Sequence, residues 1–101
     1  MTTEGDGAIE LELRLFATFR EAVGQKTITR EYPDSVRVGE VLVALEDEFE
    51  DLNGQLLDEE GEIQPQLNVL KNGKEVLHLD GLDETFAVGD RLSLFPPVAG
   101  G

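Results

Sequence analysis

One run of residues limits the folds open to this chain more than any other. Val38, Val41, Leu42, Leu45 and Phe49 recur at i, i+3, i+4, i+7 and i+11, which lays all five along one side of a helix from about Val38 to Leu52. The helix is the one long helix of the chain, so it has no helical partner to bury that stripe and must pack on strands. Its last turns carry Glu46, Asp47, Glu48, Glu50 and Asp51, the wrong sign for the negative end of the helix dipole, so packing has to hold it. Asn53-Gly54 is the expected stop, and Asp58-Glu59-Glu60-Gly61-Glu62 a turn or loop. That acidic loop lacks the ligand spacing and terminal glutamate of an EF-hand and is read as solvated.

Strands are present on both sides of the stripe. Ile9-Glu10-Leu11-Glu12-Leu13-Arg14-Leu15 alternates with period two, as a strand with one buried face does. Phe16, Phe19 and Val23 have helical spacing and Gly24 follows, which predicts a short helix over 16–23. Lys26 to Tyr32 alternates again, with Ile28, Arg30 and Tyr32 on one face and Pro33-Asp34-Ser35 as its breaker. Gln66 to Lys71, Asn72-Gly73 and Lys74 to His78 read as a hairpin closed by the preferred two-residue turn. A connector over 80–86 and a turn at Val88-Gly89-Asp90 lead to a last strand, Arg91-Leu92-Ser93-Leu94-Phe95. Strand, short helix, strand, long helix, hairpin, strand is the order of an α+β β-grasp domain. Its mixed sheet packs on one main helix, with the first and last strands side by side at its centre.

The sequence closes on Pro96-Pro97-Val98-Ala99-Gly100-Gly101. Two prolines cannot donate ladder hydrogen bonds, so the strand must end at Phe95 and the rest is expected to leave as an extended arm. Residues 1–8, small, polar and acidic, are expected to be a disordered leader; 9–95 form the domain and 96–101 the tail.

Composition narrows the chemistry. In 101 residues there is room for one small core. No cysteine occurs, so the chain has no thiol of its own for catalysis, zinc or iron-sulfur ligation. His78 is the one histidine and has no nucleophile or ligand beside it in the sequence, so a structural place is expected for it. Acidic residues outnumber basic ones 22 to 8, for a net charge of -14, which disfavours nucleic acid as a partner. Three lysines, Lys26, Lys71 and Lys74, against five arginines, with such self-repulsion, fit a salt-rich, halophilic setting. No run is apolar enough for a membrane span and the start is not basic, so a cytoplasmic protein with no membrane partner is expected.

The segments Leu67-Asn68-Val69-Leu70-Lys71-Asn72-Gly73, Val88-Gly89-Asp90 and Leu94 to Gly101 together resemble the small subunit of molybdopterin synthase (MoaD). They resemble the small archaeal ubiquitin-like modifier proteins (SAMP) more closely still. Leu13 to Ala17 and Val38 to Leu42 extend that resemblance over nearly all of residues 9–101. It implies the β-grasp fold of the MoaD/ThiS type. It also implies that the chain is not an enzyme but the substrate of an ATP-dependent, ubiquitin-activating-type (MoeB/ThiF-like) enzyme, which adenylates Gly101. Two routes then open. An isopeptide bond can join Gly101 to lysines of target proteins, with Lys26, Lys71 and Lys74 as acceptors within the chain itself. Alternatively, a thiocarboxylate can serve molybdopterin synthesis, with the synthase's large subunit as partner, or tRNA thiolation. A JAMM-type metalloprotease would reverse conjugation, and no cofactor is bound beyond the ATP used by the activating enzyme. The arm departs from ubiquitin's basic, proline-free one, which points to the prokaryotic branch. An unconjugated β-grasp binding module is the alternative outside both routes.

The residues supply a physical logic for the arm. A carboxylate acylates poorly until ATP converts it to a mixed anhydride, so a carrier needs only to present its carboxylate at another protein's nucleotide. Residues 96–101 reach at most about 20 Å when extended. Gly100 and Gly101 suit a narrow channel, and Pro96 and Pro97 lower the entropy lost on insertion. Phe95, with Val98 and Ala99 beyond it, is expected to dock the partner as well as to pack.

Overall fold

The computed structural model describes residues 7–97. Seven regular elements follow one another: β1 (Ala8–Leu15), α1 (Thr18–Val23), β2 (Thr27–Pro33), α2 (Val38–Glu48), β3 (Asn68–Lys71), β4 (Lys74–Glu75) and β5 (Arg91–Phe95). Three single 3-10 turns, Glu50–Leu52, Val76–His78 and Gly81–Asp83, fill the connections. The strands form one mixed sheet in the order β2-β1-β5-β3-β4. β5 lies parallel to β1, with Leu13 opposite Leu92 and Leu15 opposite Leu94, and antiparallel to β3, with Val69 opposite Leu94. This is the β-grasp arrangement, with the first and last strands adjacent in the middle.

Alternation in β1 does what its pattern demands. Ile9, Leu11, Leu13 and Leu15 point to the helix side and are buried, together with Leu92 and Leu94 of β5 and Val38, Val41, Leu42 and Leu45 of α2. Removing a leucine side chain from water contributes roughly 1.5–3 kcal/mol, so this shared core sets the distance between sheet and helix. Gly39 belongs to the packing too: a Cβ there would lie 3.3 Å from the Leu82 Cβ, so its absence lets the Gly81–Asp83 turn press against α2. Arg30, the charged residue on the inward face of β2, is accommodated by a bidentate ion pair with Glu48 at the end of α2 and lies over the Phe49 ring.

Several boundaries differ from the sequence expectation, β2 and β3 by one or two residues and others by more. β1 starts at Ala8, paired with Pro33, and the Gly7 carbonyl accepts a hydrogen bond from Asp34, so the fold begins inside the expected leader. Phe16 is not helical; α1 starts at Thr18 after Ala17 takes φ 53°, a value usually left to glycine, while Gly24 at φ 90° ends it as expected. α2 ends at Glu48 rather than Leu52, because Phe49 turns extended (φ -117°, ψ 107°) and the chain resumes as a 3-10 turn. The second arm of the hairpin is only Lys74–Glu75, and His78 sits exposed in the turn that follows. The hairpin turn itself is as expected, with Asn72 and Gly73 both at positive φ.

The acidic end of α2 explains its early stop. The Glu46 carboxylate accepts hydrogen bonds from the backbone N–H groups of Gly54, Leu56 and Leu57 at 3.1, 3.0 and 3.0 Å, which folds the following chain back over the helix end. Two of its acids are therefore tied down rather than left repelling the dipole: Glu46 by backbone, Glu48 by Arg30. Likewise Asp58 closes its own loop by accepting from Glu60 and Glu62 N–H. Replacing Glu46 by Ala is expected to cost about 1–3 kcal/mol in urea unfolding, since two of the orphaned N–H groups are partly buried; a loss no larger than that of a surface Glu→Ala control would contradict this role.

Candidate functional site

The root of the terminal arm is where sequence and structure converge. β5 delivers the chain to Phe95 on the sheet face turned away from α2, and Pro96 and Pro97 follow outside the ladder. Phe95 stacks on Phe16, ring centroids 4.1 Å apart and planes within 8°. Both rings are half-buried, so neither belongs to the core. Phe16 is there because β1's outward positions, Glu10, Glu12 and Arg14, continue to it. Helical spacing with Phe19 hid that role, although the strand's own alternation carries through to it.

Among the described residues, one cation lies beside the two rings. The Lys26 ammonium lies 5.9 Å from the Phe16 centroid. Next along the outward face comes Arg14, whose Nε donates to Glu12 at 2.7 Å, with the Arg91 Nε 3.3 Å from the same carboxylate. The hydrogen bond from Arg14, with Arg91 beside it, holds the Glu12 carboxyl below its ordinary value. Thus an aromatic pair with one lysine ammonium beside it sits at the tail root of a chain whose net charge is -14. Pro97 borders a shallow cleft with Gln64 and Pro65. The remaining expected tail residues, Val98, Ala99, Gly100 and Gly101, lie outside the described residues, as do residues 1–6 of the leader.

The three lysines have separate surroundings. Lys71 is enclosed: its Nζ donates to Glu84 at 2.5 Å and to the Thr85 carbonyl at 2.9 Å, lies 3.7 Å from Asp90, and sits over the Phe86 ring. Its side chain is 19% exposed. Lys26 is exposed beside the tail root. Lys74 is exposed on the far side of the Asn72-Gly73 turn.

The Lys71 cluster ties the hairpin to the turn before β5. The Asn72 side-chain amide donates to Asp90 at 2.8 Å and its carbonyl accepts from the Arg91 N–H at 2.9 Å, while Asp90 also accepts from Ala87 N–H. Burial pushes the Asp90 carboxyl up, but the hydrogen bonds from Ala87, Asn72 and Lys71 outweigh it and leave the group lowered. Glu84 is lowered chiefly by the hydrogen bond from Lys71. A carboxyl with a depressed folded value stabilises above its unfolded value, and that contribution is lost as pH falls through the folded one. Stability should therefore decline as pH drops below about 4.5, and Lys71→Met is expected to move the acid unfolding midpoint to higher pH in circular-dichroism titrations. An unmoved midpoint would show that the cluster contributes nothing to acid resistance.

Comparisons with known proteins agree with this geometry. The ThiS family profile matches residues 13–101. Small archaeal modifier protein 3 of Haloferax volcanii is 57% identical over 92% of this chain and 100% of its own length. The crystal structure of small archaeal modifier protein 1 from Haloferax volcanii superposes with a TM-score of 0.79 at 36% identity, covering 91% of this chain and 99% of that one. A putative molybdopterin converting factor, subunit 1, from Pyrococcus furiosus gives a TM-score of 0.69 at 26% identity, over 89% and 99% of the two chains. The halophilic reading of the acidic composition fits the Haloferax relatives.

Proposed function

The chain belongs to the ThiS family of ubiquitin-like modifiers and sulfur carriers, and from that premise we propose that Gly101 is its reacting residue, adenylated by an ATP-dependent enzyme of MoeB/ThiF type and then joined by an isopeptide bond to lysines of target proteins. In the first step the Gly101 carboxylate attacks the α-phosphate of ATP and pyrophosphate leaves. A lysine amine of the target then attacks the acyl carbon, the C–N bond forms, and AMP departs with the electrons of the broken C–O bond. This chain contributes no catalytic group to either step. Its work is presentation: β5 holds the root, Pro96 and Pro97 stiffen the exit, and Gly100 with Gly101 offer no side chain to a narrow channel.

The observation that supports this reading best is the half-buried Phe16-Phe95 stack at the point where β5 gives way to Pro96. Aromatic surface with the Lys26 ammonium beside it suits an activating-enzyme face with an apolar pocket and an acidic rim. A second use of the same activated carboxyl, transfer of sulfur to give a thiocarboxylate, is supported by the likeness to the Pyrococcus molybdopterin converting factor subunit. In that use the partner would be a molybdopterin synthase large subunit or a tRNA-thiolating enzyme. A JAMM-type metalloprotease is the partner class for release of conjugates.

ATP–pyrophosphate exchange with the activating enzyme of the same source tests this directly. Gly101→Phe is expected to lower exchange by about 100-fold or more, equivalent to roughly 2.7 kcal/mol of lost transition-state stabilisation, with the thermal midpoint unchanged. Phe95→Ala is expected to raise the KM for this protein by about tenfold or more. Exchange that tolerates Gly101→Phe would refute the proposal.

A further inference from the structure

A groove on the helix side of the sheet has no part in the chemistry of Gly101. It runs between the outward side of α2 and the Gly81–Asp83 turn, has a volume of about 420 Å³, and opens to solvent. Its floor is apolar: Gly39, Val43, Leu57 and Leu82. Val43 is 49% exposed, although it stands on α2 between Glu40 and Asp47, three residues before it and four after, where a polar side chain would be the usual occupant. Because Gly39 carries no side chain, Leu82 lies directly against α2 and continues the apolar floor from Val43. We propose that this groove docks a basic amphipathic helix of a partner protein, whose apolar side chains cover Val43, Leu57 and Leu82 while its lysines or arginines meet the acids around them.

Charge and backbone geometry select that occupant. Glu40 and Asp47 flank Val43 along α2, Asp83 stands on the opposite wall, and Gly61, which also lines the groove, lies between the exposed Glu60 and Glu62. Against these acids Arg37 is the cation among the lining residues, and the Asp83 carboxylate lies 3.9 Å from it. One Glu40 oxygen accepts from the Arg37 N–H at 2.9 Å, which holds that carboxylate at the groove's edge. A second copy of the chain would bring the same acids at a net charge of -14, and the chain's own leader carries Glu4 and Asp6, so charge disfavours both as occupants. A helix on one wall and a 3-10 turn on the other offer no strand edge. An extended segment would find no ladder partners there, whereas a helix arrives with its backbone hydrogen bonds already made. The Phe16-Phe95 pair faces away from α2. A helix in the groove and a protein on the tail root therefore occupy opposite sides of the sheet and can be bound at once, and the groove does not depend on the fate of Gly101.

Nuclear magnetic resonance titration of the isotope-labelled, full-length protein with synthetic peptides tests this. Two peptides carry the same leucine stripe at i, i+3, i+4 and i+7, flanked by lysines in one and by glutamates in the other, and a third has the lysines but leucines spread around the helix. The medium is molar KCl, where long-range attraction is screened within about 3 Å and only groups in contact discriminate. The striped lysine peptide is expected to bind about fivefold or more tighter than either of the others, moving the amide signals of Gly39, Val43, Leu57 and Leu82 but not those of Phe16 and Phe95. Val43→Ser, at an exposed position, is expected to weaken that binding about fivefold or more with the rest of the spectrum unchanged. Asp47→Lys combined with Asp83→Lys should reverse the preference between the two striped peptides. Equal binding of the three peptides, signals moving at Phe16 and Phe95 in place of the groove, no binding, or a peptide-independent dimer in sedimentation velocity that buries the groove would each overturn the proposal.

Discussion

The parallel pairing of β1 with β5 is the contact on which everything else depends. It joins the start of the chain to its end, sets Leu13 and Leu15 beside Leu92 and Leu94, and buries all four completely. Parallel neighbours need a long crossover, and here the crossover is the rest of the domain. α2 covers the inner face of the pair, β2 and β3 close its two sides, and the hairpin with the Asp90 turn fixes where β5 begins. The same pairing brings Phe16 against Phe95 at its exit. A change that loosens β5 therefore also loosens the point at which Pro96 leaves the ladder.

Charge is distributed around that frame in a way the total conceals. Acids at the end of α2 and in the loop beyond it close local structure, as Glu46 does for three amides and Asp58 for two. Others pair with the few cations: Glu48 with Arg30, and Glu84 and Asp90 with Lys71. At the tail root Lys26 lies over the Phe16 ring, while Arg14, on the same face, is paired with Glu12. A face of that kind binds mainly by apolar burial, which concentrated salt does not weaken, whereas long-range attraction between net charges would be screened within about 3 Å at molar salt. The overall charge of -14 is thus better matched to solubility than to steering.

Much of this was legible in the residues. Period-two alternation gave β1 its register, the Val38–Leu45 stripe its helix, Asn72-Gly73 its hairpin, and element order the β-grasp topology, because each is a local signal agreeing with the global fold. The misreadings share a cause. Phe49 fits the helical stripe by spacing, yet the chain leaves the helix there when Glu46 gathers the amides of Gly54, Leu56 and Leu57, partners that only the folded chain brings near. Phe16 fits both a strand and a helix, and its stacking on a residue at the other end of the sequence decides between them. The enclosure of Lys71 could not be read locally either, since Glu84 and Asp90 reach it only through the sheet.

The central claim is that the domain exists to hold out a glycine carboxyl for acylation chemistry. Mass spectrometry of the protein isolated from its native cells tests it most directly, with intact mass and tryptic digests read from the same sample. The expected result is Gly101 in amide linkage to lysines of other proteins, seen as Leu92–Gly101 remnants, or Gly101 carrying one sulfur in place of oxygen. A Gly101 carboxyl found free and unmodified under every growth condition, with no remnant on any protein, would contradict the claim and leave an unconjugated binding module.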